Sequence, residues 1–156
     1  MSDAGTKPDP LIMSRVFQAT PEKLFRAWSS AEHIKNWFCP EGLTIPEAEI
    51  DLRTGGVFAV CMRLPDGQEF WSRGTCVEVV PLQRIVLADA AESEGVKHFS
   101  VLTTVTFAAE AGGTRMSVRQ DYEIFTEQGH AAVGGATAGW TSTLNRLEAY
   151  LNTLED

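Results

Sequence analysis

The apolar positions of this chain fall into two periods, and the change from one to the other divides it. Residues 127–154 carry Trp140, Leu144, Leu147 and Leu151 at helical spacing, with Thr141, Asn145, Arg146 and Glu148 largely off that stripe. This pattern predicts one long C-terminal helix lying against a surface. Its first half sets Gly134, Gly135 and Gly139 among Ala131, Ala132, Ala136 and Ala138. Each glycine costs a helix about 1 kcal/mol relative to alanine. Either a backbone or a bound molecule comes close there, or the helix breaks near Gly134.

Ahead of that helix the period is two. Residues 11–18 alternate as a first strand, with Met13, Arg15 and Phe17 on one face. Thr20-Pro21 then marks a helix start, and Leu24, Phe25 and Trp28 give its buried side. A second short helix is capped by Ser30 and edged by Ile34, Trp37 and Phe38. Strands are predicted over residues 44–51, 57–64, 69–79, 84–90, 98–109 and 114–123. Pro46 puts the first of these near a sheet edge. Pro65-Asp66-Gly67 and Gly112-Gly113 are turn signals, and an acidic loop is expected at Glu92, Glu94 and Gly95.

Strands joined by short turns pair antiparallel with their neighbours. The sequence therefore predicts an α+β domain. A curved antiparallel sheet of about seven strands wraps a long C-terminal helix, with two short helices after the first strand. Residues 1–10, polar and holding Pro8 and Pro10, are expected as a loose tail on a single domain spanning residues 11–154.

Composition narrows the partners. The formal net charge of −8 over 156 residues disfavours nucleic acid and anionic membranes. No apolar run approaches the roughly 20 residues of a membrane span, and the N-terminal segment lacks a signal-peptide core. Cys39, Cys61 and Cys76 are odd in number and lack metal-ligand spacing, which suits reduced, buried thiols in the cytoplasm.

The stretch from Arg15 to Trp28, reading RVFQATPEKLFRAW, resembles the opening of START-like (SRPBCC) domains. It is most similar to the subgroup named for the activator of the 90-kDa heat-shock ATPase. Trp37, Asp51-Leu52-Arg53-Thr54-Gly55-Gly56, Gly67, Gly74, Val79-Val80-Pro81, Gly113-Thr114-Arg115-Met116 and Gly139-Trp140 follow in that subgroup's order. The resemblance runs from about Met13 to Leu151. It implies a helix-grip fold with a cavity between sheet and C-terminal helix, and a stress-response setting for the subgroup.

Catalytic signals are sparse. His33, His98 and His130 lie in different elements, and none has metal-ligand spacing. His98, on the parity opposite Phe99 and Val101, is expected to face solvent. No nucleophile elbow, phosphate loop or dinucleotide fingerprint occurs. No cofactor, metal or catalytic residue is therefore assigned. The binding signal rests on Trp37, Phe58, Met62, Trp71 and Trp140, with Gly135 and Gly139 opposite leaving volume; each of the five taken alone fits an ordinary core better, and the small residues tip the set towards a cavity. These seven residues are expected to surround a small apolar or aromatic molecule, with Trp37 near the mouth. A chaperone-linked interaction domain is the second reading and a cyclase-like or hydrolytic enzyme the third. A homodimer is compatible with all three.

Overall fold

The computed structural model describes residues 5–155. Seven strands form a single sheet: β1 Leu11–Phe17, β2 Thr44–Ile50, β3 Val57–Arg63, β4 Glu69–Val80, β5 Arg84–Ser93, β6 Val96–Glu110 and β7 Gly113–Ile124. Their order is β1-β7-β6-β5-β4-β3-β2, and every pairing is antiparallel. β2 to β7 thus form a meander, and β1 adds to the far side of β7. Four helices complete the chain: α1 Pro21–Arg26, α2 Ala31–Ile34, α3 Glu127–Gly134 and α4 Ala136–Leu151.

Local chemistry accounts for most boundaries. The Thr20 hydroxyl accepts from Lys23 N, and the Ser30 hydroxyl accepts from His33 N, each at 3.2 Å. Both caps satisfy amides that a helix start leaves free. Pro46 lies on the edge strand β2, where the register with β3 shifts between Thr44 and Glu47. A proline removes a ladder donor, and an edge bulge accommodates that loss. The acidic loop is tighter than its composition suggests. Glu94 (φ 50°) and Gly95 (φ 77°) form a two-residue turn, so β5 and β6 run on to Ser93 and Val96.

The predicted single helix over residues 127–154 is two helices. Thr126 caps α3 by accepting from Gly129 N at 2.9 Å, and the helix ends at Gly135 (φ −92°, ψ 1°), from which α4 starts without a side-chain cap. Nothing lies within 4 Å of where a Cβ on Gly134 would stand. Close approach of a backbone is therefore not the reason for this glycine pair; the low helix propensity of two successive glycines concentrates the bend there.

His98 also departs from expectation. It is buried, with Nδ1 2.8 Å from Thr126 Oγ1 and Nε2 2.7 Å from Ser93 Oγ. Its carbonyl accepts from Phe125 N and lies against Gly129, so the start of α3 covers it. Sequence parity failed here because the β5–β6 register shifts between Ala91 and Glu92, leaving His98 between the Phe99 and Lys97 pairings and breaking the period of two.

Of the tail expected over residues 1–10, residues 1–4 lie outside the described residues. Thr6 exchanges two 2.8 Å backbone hydrogen bonds with Ile124. The main core joins Phe17, Leu24, Trp28, Trp37, Phe58, Ile85, Val105, Met116, Leu144 and Leu147, binding α1, α2 and α4 to the concave face. No helix among the described residues is long and apolar enough to cross a membrane.

Candidate functional site: a cavity under the C-terminal helices

The concave face carries alternate residues of each strand. One cross-strand row runs Tyr122, Val101, Asp89, Gly74, Phe58, and the next contains Gln120, Thr103 and Leu87. At the level of these rows α4 has not yet closed on the sheet. A cavity of about 240 Å³ remains there. Met62, Phe70, Leu87, Val101 and Tyr122 form its floor. Val133, Gly135, Ala136, Gly139, Trp140 and Thr143 form its roof, and Phe38, Pro40 and Leu43 its side. Ala132 and Gly135 line it while remaining exposed, which places the mouth at the α3–α4 junction.

Four of the seven residues expected at a site meet at this cavity: Met62, Gly135, Gly139 and Trp140. Trp37 and Phe58 do not. Both are buried in an aromatic cluster in which Trp28 and Trp37 pack edge to face at 5.0 Å and Phe38 meets Phe58 at 5.6 Å. Trp37 Nε1 donates to Ala27 O at 3.0 Å, so this ring ties the helix pair together and stands away from the mouth.

Trp71 lies on the opposite face of the sheet. It pairs with Cys61, its neighbours Phe70 and Ser72 line the cavity, and the Arg73 guanidinium sits 4.0 Å from its ring centroid. The correction is a parity slip of one residue. The Pro65-Asp66-Gly67 turn sets Met62 opposite Phe70, and side chains alternate from there.

Sequence reasoning missed the polar part of the wall. Trp140 Nε1 donates to Gln120 Oε1 at 2.7 Å, and Tyr122 donates its hydroxyl proton to the same oxygen. Gln120 Nε2 in turn donates to Thr103 Oγ1 at 3.0 Å. Asp89 also belongs to the wall. It is 9 % exposed, Ser72 hydrogen-bonds its carboxyl, and its Oδ1 is buried without a partner. Desolvation pushes the Asp89 carboxyl up to about 7, against the weaker pull of Ser72. Burial raises the Tyr122 hydroxyl as well. The available signal was a run of polar residues on inward parity: Asp89 between Leu87 and Ala91, Thr103 between Val101 and Val105, Gln120 after Val118.

Arg146, off the apolar stripe of α4, holds the side of the cavity. Its Nη1 lies 2.9 Å from Cys39 Sγ and donates to Cys39 O at 3.1 Å, with Pro40 O and Leu43 O each at 3.4 Å. Cys39, Cys61 and Cys76 are free and buried, and burial raises all three thiols. Among the described residues no group of three or more His, Cys, Asp or Glu is placed to hold a metal ion. A broader depression on the convex face is lined by Lys7, Arg73, Ala90, Leu102 and Asp121 and also reaches Asp89 and Tyr122; among the described residues no helix contributes to it.

A curved antiparallel meander closed over a cavity by its C-terminal helices defines a helix-grip domain of the START-like (SRPBCC) class. The chain belongs to the family described as "Activator of Hsp90 ATPase homolog 1-like protein", which it matches over residues 18–152. It is similar in structure to a protein of Rhizobium leguminosarum (28 % identity, TM-score 0.84, covering 96 % of this chain and 98 % of that one). A protein of Chromobacterium violaceum is also similar (27 % identity, TM-score 0.78, covering 92 % and 97 %). So is the AHSA1 protein of Silicibacter pomeroyi (24 % identity, TM-score 0.76, covering 93 % and 99 %), whose likeness bears on the fold. No curated protein matches the chain.

Proposed function

We propose that this domain binds a small, largely apolar molecule in the cavity between the sheet and the α3–α4 helices. The observation that carries this reading is the cavity itself, about 240 Å³ lined mainly by apolar side chains. Protein interiors pack to crystal-like density, so a mainly apolar space of this size between sheet and helices is a departure that an apolar occupant would fill. An apolar cavity of about 150 Å³ accepts benzene, so a one- or two-ring molecule is the scale to expect. Met62 would adapt the wall, while the Gln120–Tyr122–Trp140 set gives one polar side.

Native mass spectrometry of protein purified from its source tests this, alongside titration with naphthalene followed by tryptophan fluorescence. A bound small molecule, or a saturable shift arising from Trp140, is expected. Gly135→Leu should block the mouth and abolish the shift, because a Cβ at Gly135 meets nothing closer than 3.7 Å and the variant should fold. A titration with no saturable response, from protein that also carries no co-purifying molecule, would remove the reading.

Family membership favours a second reading, an activator-like domain that contacts a 90-kDa heat-shock chaperone. Stimulation of that chaperone's ATPase by the purified domain would support it. An unchanged rate at saturating protein, with no complex detected, would exclude it.

A further inference from the structure

Among the described residues, the buried polar side-chain atoms of the cavity wall have partners, with one exception. Gln120 Oε1 takes both the Trp140 and the Tyr122 protons, and Gln120 Nε2 is committed to Thr103. Asp89 stands outside this set. The residue is 9 % exposed, Ser72 hydrogen-bonds its carboxyl, and the buried Oδ1 makes no hydrogen bond.

The place is also kept clear for it. Gly74 lies directly across the β4–β5 ladder, and a Cβ there would stand 2.1 Å from Asp89 Oδ1 and 2.0 Å from Ala88 O. Any side chain at that position would displace the carboxyl.

Charge completes the argument. Among the described residues, Asp89 is the only charged side chain in the cavity wall, and Tyr122 the only other that titrates. From β4, Cys76 lies near enough for Asp89 to raise its thiol, which burial already raises, while Arg73 covers Trp71 on the opposite face, where Lys7 also stands. The wall residues of α3 and α4 (Ala132, Val133, Ala136, Gly139, Trp140 and Thr143) include no titratable group, and Phe38, Pro40 and Leu43 add none. A buried carboxyl without a cation is unfavourable, and an uncharged residue of the same size would pack better. The missing partner is a positive charge or a strong donor brought from outside.

We propose that the cavity's ligand is a small apolar amine, its ring held between Met62 and Trp140 and its nitrogen donating to the Asp89 carboxylate. This rests on the reading that the cavity takes a small apolar molecule. A chain of net charge −8 also favours the approach of a cation. Because the empty site holds its proton up to about neutrality, binding an ammonium ion expels that proton, and affinity for the amine rises as pH rises through 7.

Calorimetric titration of the full chain with three probes of one size tests this: 2-phenylethylamine, propylbenzene and phenylacetate. At pH 8 the amine should bind about 10-fold more tightly than propylbenzene, the value of a charge-assisted hydrogen bond, and phenylacetate should not bind. Lowering the pH to 5.5 should weaken the amine and leave propylbenzene unaffected. Asp89→Asn should abolish the amine's advantage; should that variant not fold, the pH dependence of the unaltered protein decides. Propylbenzene binding as well as the amine, or an amine advantage that survives Asp89→Asn or is independent of pH, would overturn the amine and leave the cavity reading intact. Failure of all three probes to bind would overturn both.

Discussion

The indole N–H of Trp140 on α4 donates to Gln120 Oε1 on β7 at 2.7 Å, tying the C-terminal helix to the sheet at the edge of the cavity. The same oxygen accepts from Tyr122, and the amide nitrogen donates to Thr103, so this network fixes which way the Gln120 amide points. Trp140 is half-buried rather than enclosed, and much of its role is this polar link. Trp140→Phe keeps a ring in place and removes one donor. It should cost about 1 kcal/mol by urea denaturation. An unchanged midpoint would show that the link contributes nothing to docking α4.

Asp89 gives stability a defined pH dependence. Its carboxyl titrates near 7 in the folded chain against about 3.9 in the unfolded one. The unfolded chain therefore ionises first, and stability contributed by the neutral carboxyl is lost as pH rises from about 4 through 7. Asp89→Asn removes this loss. The variant should be the more stable at pH 8, by at most roughly 4 kcal/mol, with the advantage shrinking below about 1 kcal/mol near pH 4. Equal advantages at the two pH values, measured by denaturant unfolding, would show that Asp89 is ionised in the fold.

Two glycine-to-alanine changes should move stability in opposite directions. Gly134 is helical and its Cβ would meet open space, so Gly134→Ala should stabilise by about 0.5–1 kcal/mol. At Gly74 a Cβ would stand 2.0 Å from Ala88 O and 2.1 Å from Asp89 Oδ1. Gly74→Ala should cost more than about 2 kcal/mol, because a backbone atom is in the way. Thermal unfolding of the pair checks both signs, and a stabilised Gly74→Ala would mean the β4–β5 ladder is looser than described.

Arg146 supports the segment that forms the side of the cavity. Its Nη1 is shared among Cys39, Pro40 and Leu43 while Nη2 reaches Asn36 O at 3.5 Å, a two-pronged planar group that an ammonium does not reproduce. Arg146→Lys should cost about 1–2 kcal/mol and raise amide hydrogen exchange at residues 39–43. Exchange unchanged there would assign the support to the apolar contacts of Phe38 and Leu43 alone.

The site was legible only in part. Met62, Gly135, Gly139 and Trp140 were readable because methionine and tryptophan at regular spacing, and small residues opposite, are local patterns. Trp71 was misplaced because composition draws attention to a tryptophan, whereas its face is set by the Met62–Phe70 pairing across the hairpin. Trp37 and Phe58 look the same in sequence whether they line a space or fill a core, and here they pack on Trp28 and Phe38.

The sequence by itself determined the element order, the seven alternating strands, the helix caps at Thr20 and Ser30, and the position of the bend at the Gly134-Gly135 pair as one of two readings. Each depends on neighbours a few residues apart: steric preference, side-chain period, or a hydroxyl beside free amides. Only the tertiary structure decided that a cavity remains beneath α3 and α4, and that Asp89, Gln120 and Tyr122 border it. It also decided that the Asp89 carboxyl loses its water with Ser72 as a hydrogen-bonding partner. Those outcomes follow from the register of β3 to β7 and the bend between α3 and α4, and desolvation is a property of everything within a few ångströms, however distant along the chain.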